Sequence, residues 1–277
     1  MGLERHVLSA VRSAARVKET MRRARPAVVR SWRSPSVERL VPSPVFVLSS
    51  QRSGSTLLRV LLNSHSRICA PHELHLRRVH VQIEDLNYAR LAMKELGLDE
   101  EALEHLLWDR ILHRQLQRTG KTVFVEKTPG NGAIWERLLQ AWPDARFVYL
   151  IRHPASILAS LERAHPDISS ARLERRVIRY AARVDAARDA RPGPVVRYES
   201  LTADPESVLR ELCAWLGLRF EPQMLEYGKA RHGKFRSGIG DWSDKIRSGQ
   251  VQPPAPLPAP EDVPPGLEEQ CRAWGYL

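Results

Sequence analysis

Gln51-Arg52-Ser53-Gly54-Ser55-Thr56 gathers a guanidinium, three hydroxyls and a glycine into six consecutive residues. The glycine lets backbone N–H groups come close to an anion. The hydroxyls and the planar cation add donors. A helix starting there would aim its unpaired N–H groups and the positive end of its dipole at the same point. Together these make a site for a phosphate or sulfate dianion. It is not a triphosphate P-loop, because the pattern G-x-x-x-x-G-K-[ST], with its phosphate-reaching lysine and magnesium-holding hydroxyl, is missing. The expected ligand therefore lacks a γ-phosphate and needs no metal. Taken alone, the turn also fits an ordinary helix cap.

Two further groupings could do chemistry. Arg152 ends an apolar run and Ser160 follows eight residues later. Two helical turns advance a chain by about 11 Å, so both reach one anion only if that helix crosses back over it. Otherwise they are a surface arginine and a solvated serine. His72-Glu73-Leu74-His75 places a carboxylate between two imidazoles. Zinc proteases use H-E-x-x-H, which stacks the histidines one helical turn apart. Here the spacing is one residue short and no third ligand stands out, so proton transfer is the better expectation and no metal site is assigned.

The elements that must position these residues alternate along the chain. Strands are expected at 45–50, 122–127, 146–151 and 194–200, each an apolar run. Helices are expected at 56–65, 99–117, 131–142, 154–164, 172–190 and 204–218. Pro154 sits at a helix start, and Asp204-Pro205 is a strong helix-opening pair. Strands separated by helices predict a parallel, doubly wound α/β sheet, whose ligands bind beyond the carboxyl ends of the strands. The turn at 51–56 and Arg152 both fall at such ends. Residues 251–266 are proline-rich and expected to be irregular, before a short C-terminal helix.

Taken together, these segments resemble the sulfotransferases that use 3'-phosphoadenosine 5'-phosphosulfate (PAPS). That family has a strand–loop–helix of the form R-S-G-[ST]-T for the 5'-phosphosulfate, matched by Arg52-Ser53-Gly54-Ser55-Thr56. A later strand ending in Arg, with Ser eight residues on, holds the 3'-phosphate and is matched by Arg152 and Ser160. "FRSGIGDW" (235–242) resembles the family's late F-R-x-G-x-x-G-D-W loop, and "VVRYESL" (195–201) its V-x-Y-E-x-L strand end. The matches are in the family's order and run over roughly residues 45–245. The resemblance implies one domain over 41–277 with the P-loop-NTPase-like sulfotransferase fold; the charge and apolar spacing of residues 1–40 predict a basic helical extension before it.

It also implies roles. Arg52, Ser53, Gly54, Ser55 and Thr56 would hold the 5'-phosphosulfate. Arg152, Ser160, Arg236, Ser237 and Gly238 would hold the 3'-phosphate, with Tyr198 near the adenine. Ser237 stands where cytosolic members usually carry Lys, which leaves Arg236 and backbone amides to do that work. Glu73, 21 residues after Arg52, matches the catalytic glutamate of the tyrosylprotein branch. Burial beside apolar surface makes a carboxylate more basic, which suits that role. His75 is the second candidate base, followed by His72; His75 also stands where that branch has an Arg. Glu73 could instead be a helix-start acid serving local amides. Lys127 matches the lysine beside the donor's bridging oxygen; without the family match, it reads as an exposed lysine paired with Glu126.

The expected reaction is transfer of a sulfuryl group from PAPS to the hydroxyl of a small molecule, lipid or carrier-tethered acceptor. "PHELHL" resembles sulfotransferases acting on β-hydroxyacyl chains held by carrier proteins. Residues 74–120 should wall the acceptor, and Leu74, Leu76, Arg77, Val79, Tyr88, Leu91 and Trp108 make that wall largely apolar. The rival readings are a nucleotide kinase, which would need magnesium, and a non-catalytic nucleotide-binding adaptor.

Composition narrows the field further. The 277 residues carry a net charge of +11. Residues 1–40 hold ten Lys/Arg against three Glu, +7 of that total, leaving +4 for the rest. A nucleic-acid binder would be basic throughout. The N-terminal segment, with a weakly amphipathic basic helix expected over 4–24, reads first as a solvated appendage packed loosely on the body; the sharper reading is a contact for an acidic carrier protein or an anionic surface. No apolar stretch approaches a membrane span, and charges interrupt any would-be leader. Cys69, Cys213 and Cys271 are odd in number and widely spaced, which fits a reducing cytoplasm.

Overall fold

Val45-Phe46-Val47-Leu48-Ser49 is buried along its whole length. A run apolar on both faces is the signature of a central strand in a parallel sheet. The computed structural model describes residues 38–84, 88–233 and 244–277. The expected basic helix before residue 38 and the 235–242 loop, with Arg236, Ser237 and Gly238, lie outside the described residues.

In chain order the elements are β1 (Val45–Ser49), α1 (Ser55–Asn63), β2 (Ile68–Cys69), α2 (Ala89–Glu95), α3 (Glu100–Thr119), β3 (Val123–Glu126), α4 (Trp135–Ala141), β4 (Arg146–Ile151), α5 (Pro154–Ala164), α6 (Ser170–Ala190), β5 (Val195–Arg197), α7 (Tyr198–Ala203), α8 (Pro205–Trp215), α9 (Asp244–Arg247) and α10 (Glu268–Ala273). The five strands form one parallel sheet in the order β2-β3-β1-β4-β5. The fold is α/β with helices flanking a parallel sheet, as the alternation of elements predicts.

Side chains on successive strand residues point to opposite faces, and the core divides accordingly. Phe46 and Leu48 of β1, with Phe147 and Tyr149 of β4, face α5, α6 and the large rings of Trp108 and Trp142. Val45 and Val47, with Val148 and Leu150, face α1 and α8. Each fully buried side chain of this size contributes roughly 1.5–3 kcal/mol. The central strands are thus fixed from both sides, and their carboxyl ends are presented along one edge.

The helix starts follow their local chemistry. Asp99 caps α3 by accepting from the Ala102 N–H at 2.8 Å, and Asp204 caps α8 by accepting from the Ser207 N–H at 3.0 Å. Pro154 opens α5 as expected. The last strand is shorter than its apolar run suggested, because Tyr198 leaves the sheet and begins α7. The start of the expected 131–142 helix is a 3-10 turn over Pro129–Ala133. Two 3-10 turns punctuate the proline-rich segment before α10. All three cysteines are buried and unbonded to one another. Among the described residues no helix is long and apolar enough to cross a membrane.

Candidate active site

The 51–54 turn leaves β1 at the middle of the sheet. β3 lies on one side of β1 and β4 on the other. Strands are spaced about 4.8 Å apart. The residues following β3 and β4, Lys127 and Arg152, therefore lie two strand spacings apart across the sheet, on either side of the strand that carries the turn, with β4 running further along than β3.

The turn is not an ordinary cap. The residue at the N-cap of α1 is Gly54, at φ 84°, and no side chain caps the helix. Ser53 Oγ is buried and has no hydrogen-bond partner among the described residues. A Cβ on Gly54 would overlap the ring carbons of Tyr198. Arg52 is itself left-handed, at φ 63°. Of the described non-glycine residues with positive φ, Arg52, His75 and Tyr88, two are candidate site residues. Such conformations cost energy and persist where the surroundings enforce them. An unbonded buried hydroxyl, an uncapped helix and a glycine pressed on an aromatic ring form a cradle that fits a dianion.

The Arg152 half joins this cradle directly. Arg152 Nη1 donates to the Arg52 carbonyl at 2.9 Å. Arg52 Nε donates to Ser160 Oγ at 3.1 Å. Helix α5 does cross back, so Arg52, Arg152 and Ser160 meet in one place. The Arg152 guanidinium lies over the Tyr198 ring, 4.4 Å from its centroid. Tyr198 is thus the plate on which both Gly54 and Arg152 rest. Burial pulls the Arg152 guanidinium below its ordinary value, with Tyr198 and Glu199 opposing that shift.

The other half lies at the end of β3. Lys127 Nζ donates to Glu73 Oε1 at 2.5 Å, and the lysine side chain is 1% exposed against 13% for Glu73. The pairing with Glu126 expected of an isolated sequence does not occur. Burial pushes the Lys127 ammonium below the ordinary lysine value, and the Glu73 charge opposes that. Glu73 Oε2 faces His75 Nε2 at 3.5 Å, so the two candidate bases form one contact. His72 is exposed and, among the described residues, hydrogen-bonds the neighbouring Glu73 carbonyl. Among the described residues no group of three potential metal ligands gathers.

Three residues that the sequence reading passed over support this geometry. Glu126 is fully buried and accepts from Thr128 Oγ1 at 2.6 Å, from the Leu74 N–H at 3.1 Å and from Asn131. The Thr128 hydroxyl in turn accepts from the His75 N–H at 3.3 Å. The end of β3 therefore pins the backbone on both sides of Glu73's neighbour Leu74. Arg59, in the middle of α1, is 2% exposed and donates to the Ala70 carbonyl at 3.2 Å. Burial lowers its value to about 10, and the charge of Glu73 opposes the shift. Glu199 accepts from the His153 N–H at 3.1 Å and from the Tyr276 hydroxyl at 2.7 Å, which fixes the backbone next to Arg152. The signal available in sequence was a charged residue inside an otherwise apolar run, at Arg59 and Glu126.

The expected acceptor wall divides in two. Leu76 and Trp108 are completely buried, with Trp108 Nε1 donating to the Val79 carbonyl at 3.1 Å. They are core, not surface, because this segment must roof the sheet edge beside β2. Tyr88 and Leu91 are exposed, and so is Leu96.

The geometry can do one kind of chemistry well: hold an extended anion along three strand ends and offer a carboxylate and an ammonium at one end of it. Comparison with known proteins bears on the family and the fold. The model of the sulfotransferase family matches residues 44–222. The nodulation protein NoeE of Sinorhizobium fredii (strain NBRC 101917 / NGR234) is 29% identical over 211 residues, 64% of this chain and 50% of NoeE. An uncharacterized protein of Aquifex aeolicus (strain VF5) is 27% identical over 233 residues, 72% of this chain and 30% of that protein. The chain thus spans half or less of these relatives. Two solved structures share the fold. The sulfotransferase domain from the curacin biosynthetic pathway superposes with a TM-score of 0.63 at 24% identity, covering 87% of this chain and 99% of that one. The sulfotransferase domain from the Synechococcus PCC 7002 olefin synthase gives 0.62 at 23% identity, covering 88% and 98%. By the family match over most of its sheet, with the fold and the strand-end cradle in agreement, this chain belongs to the sulfotransferase family.

Proposed function

We propose that the chain transfers a sulfuryl group from PAPS to the hydroxyl of a largely apolar small-molecule, lipid or carrier-bound acceptor. One observation carries the reading: Arg52, Arg152 and Ser160 converge on one side of the central turn while the Lys127–Glu73 pair stands on the other. In this reading Arg52, Ser53, Gly54, Ser55 and Thr56 hold the 5' end of the donor. Arg152 and Ser160 hold the 3'-phosphate, and Tyr198 backs both. Bound there, the donor supplies the sulfuryl group and leaves as adenosine 3',5'-bisphosphate. Glu73 takes the acceptor's hydroxyl proton, and His75, 38% exposed at its side, passes that proton on to solvent. Lys127 places a cation where negative charge grows on the leaving oxygen, which works best in a water-poor site. The exposed Tyr88, Leu91 and Leu96 support an apolar acceptor. Three free, buried thiols support a reducing cytoplasmic setting.

Isothermal titration of the purified protein with adenosine 3',5'-bisphosphate in EDTA tests the donor half. Binding without magnesium is expected. A magnesium-dependent preference for ATP would instead favour a kinase. Nucleotide binding with no release of adenosine 3',5'-bisphosphate from PAPS, across a panel of hydroxylated lipids and acyl thioesters, would favour an adaptor.

Gly54→Ala tests the cradle. A left-handed backbone costs a residue with a side chain about 1–2 kcal/mol, and the added methyl must also displace Tyr198. Since Tyr198 carries Arg152, the nucleotide should bind at least about tenfold more weakly, a loss of about 1.4 kcal/mol. Unchanged titration would show that the turn is not the donor cradle.

A further inference from the structure

The face of α6 turned away from the core carries five arginines: Arg172, Arg175, Arg176, Arg179 and Arg183. At 3.6 residues per turn they fall within an arc of about 100° and span roughly 16 Å of helix. The acids of the same helix lie on the other flank, toward the C-terminal segment. There Asp185 accepts from Gln270 Nε2 at 2.9 Å and from Trp274 Nε1 at 2.8 Å. Glu174 lies against Gly266. The helix is therefore split lengthwise by charge, and its acids do not neutralise these five arginines. None of the five makes an ion pair among the described residues, although other arginines do, Arg188 with Asp185 among them. Arg172, Arg175 and Arg179 are exposed, and Arg176 and Arg183 are half-buried.

The row leads to the candidate active site. The Arg183 Cβ lies 3.6 Å from where a Cβ on Gly132 would be, in the 3-10 turn that begins two residues after Lys127. Across the same turn, Arg77 Nε lies 2.9 Å from where a Cβ on Gly130 would be. A partner laid along α6 therefore ends beside the turn that follows the Lys127–Glu73 pair.

The geometry points to α6 as a docking surface for an acidic helix of a second protein, one that presents the acceptor hydroxyl to the site. This deepens the proposed reaction and rests on it only for what is delivered. A helix fits because carboxylates at every third or fourth position repeat at about 5–6 Å, the repeat of the arginine row. Guanidinium forks grip carboxylates in pairs. A nucleic acid would want a broad basic surface, whereas beyond residue 40 the chain has a net charge of only +4. The row is narrow and one helix long.

The test uses the full chain and two fluorescent helical peptides of equal composition. One has glutamates along a single face at i, i+4, i+7 and i+11; the other has them scattered around the helix. Anisotropy at low salt should show the one-faced peptide binding about tenfold tighter than the scattered one. The Arg172→Glu/Arg175→Glu/Arg179→Glu variant should lose that preference. It should keep wild-type titration with adenosine 3',5'-bisphosphate, which doubles as the folding control. Equal binding of the two peptides, or an undiminished preference in the variant, would overturn the docking surface. A heparin hexasaccharide that displaces the one-faced peptide and binds more tightly than it would overturn the acidic helix in favour of a polyanion. Peptide discrimination in a protein that fails to bind the nucleotide would leave the surface standing and remove the donor assignment.

Discussion

Glu73→Gln should lower kcat by about 10²–10⁴-fold while leaving the affinity for adenosine 3',5'-bisphosphate unchanged. The amide has the shape of the carboxylate and can still accept a hydrogen bond from Lys127, so the local packing survives. What it loses is the capacity to take a proton. His75→Ala is the companion variant. With Glu73 as base and His75 only relaying, the histidine variant should lose far less than the glutamine variant. If instead Glu73→Gln turned over near normally and His75→Ala collapsed, the proton would belong to His75. Single-turnover rates on preformed donor complexes are the right measurement, because they separate the chemical step from binding and release.

The pH profile of the residual activity checks a second role of the same carboxylate, holding the proton on Lys127. The negative charge of Glu73 is the strongest influence holding the Lys127 proton on against burial. Removing that charge lets Lys127 lose its proton at lower pH. The alkaline limb of the glutamine variant should therefore shift downward relative to wild type, in addition to the overall loss. A limb that stayed in place would mean that the charge of Lys127 does not govern it.

The sheet was legible because its strands are buried on both faces and therefore read as unbroken apolar runs. The turn at 51–56 was legible because a glycine and small polar residues directly after an apolar run mark a strand end opening into a helix. The convergence of Arg152 and Ser160 on Arg52 was not, since residue types do not say which way a helix crosses a sheet. Arg59 was missed for a related reason. Inside "TLLRVLLN" an arginine reads as the polar edge of an amphipathic helix, yet here α1 is covered on that side as well. Glu126 hid in the same way at the end of a strand. β2 has two residues, too few to show a period. Leu76 and Trp108 were read as an acceptor wall because apolar residues in an inserted segment look alike whether they roof the core or line a pocket. Only the chain path, with Trp108 bonded back to Val79, tells the two apart.

Lys127→Met should cost about 10²–10³-fold in kcat, the usual loss when one preorganised charge is removed from a developing anion. The variant also leaves Glu73 without its 2.5 Å partner, so the two residues work as a unit. Adding Lys127→Met to Glu73→Gln should therefore lose much less than the product of the separate losses. Alkaline pH separates the charge of this lysine from the stability of the fold. Burial puts its value in the folded protein below the ordinary 10.5. Between those two values the unfolded chain holds a proton that the folded chain has released, so raising pH through that window stabilises the fold. Activity should move the other way, because the neutral amine no longer offers charge to the leaving oxygen. Other groups also titrate there: burial holds the Tyr149 and Tyr276 hydroxyls above their ordinary values, which costs stability at high pH. The measurement is therefore a difference, melting temperature and kcat/KM against pH for wild type minus those for Lys127→Met. The lysine contribution should rise in stability while it falls in rate. A rate loss that tracked a falling melting temperature would mean that alkaline inactivation is unfolding, and that Lys127 only fills its pocket.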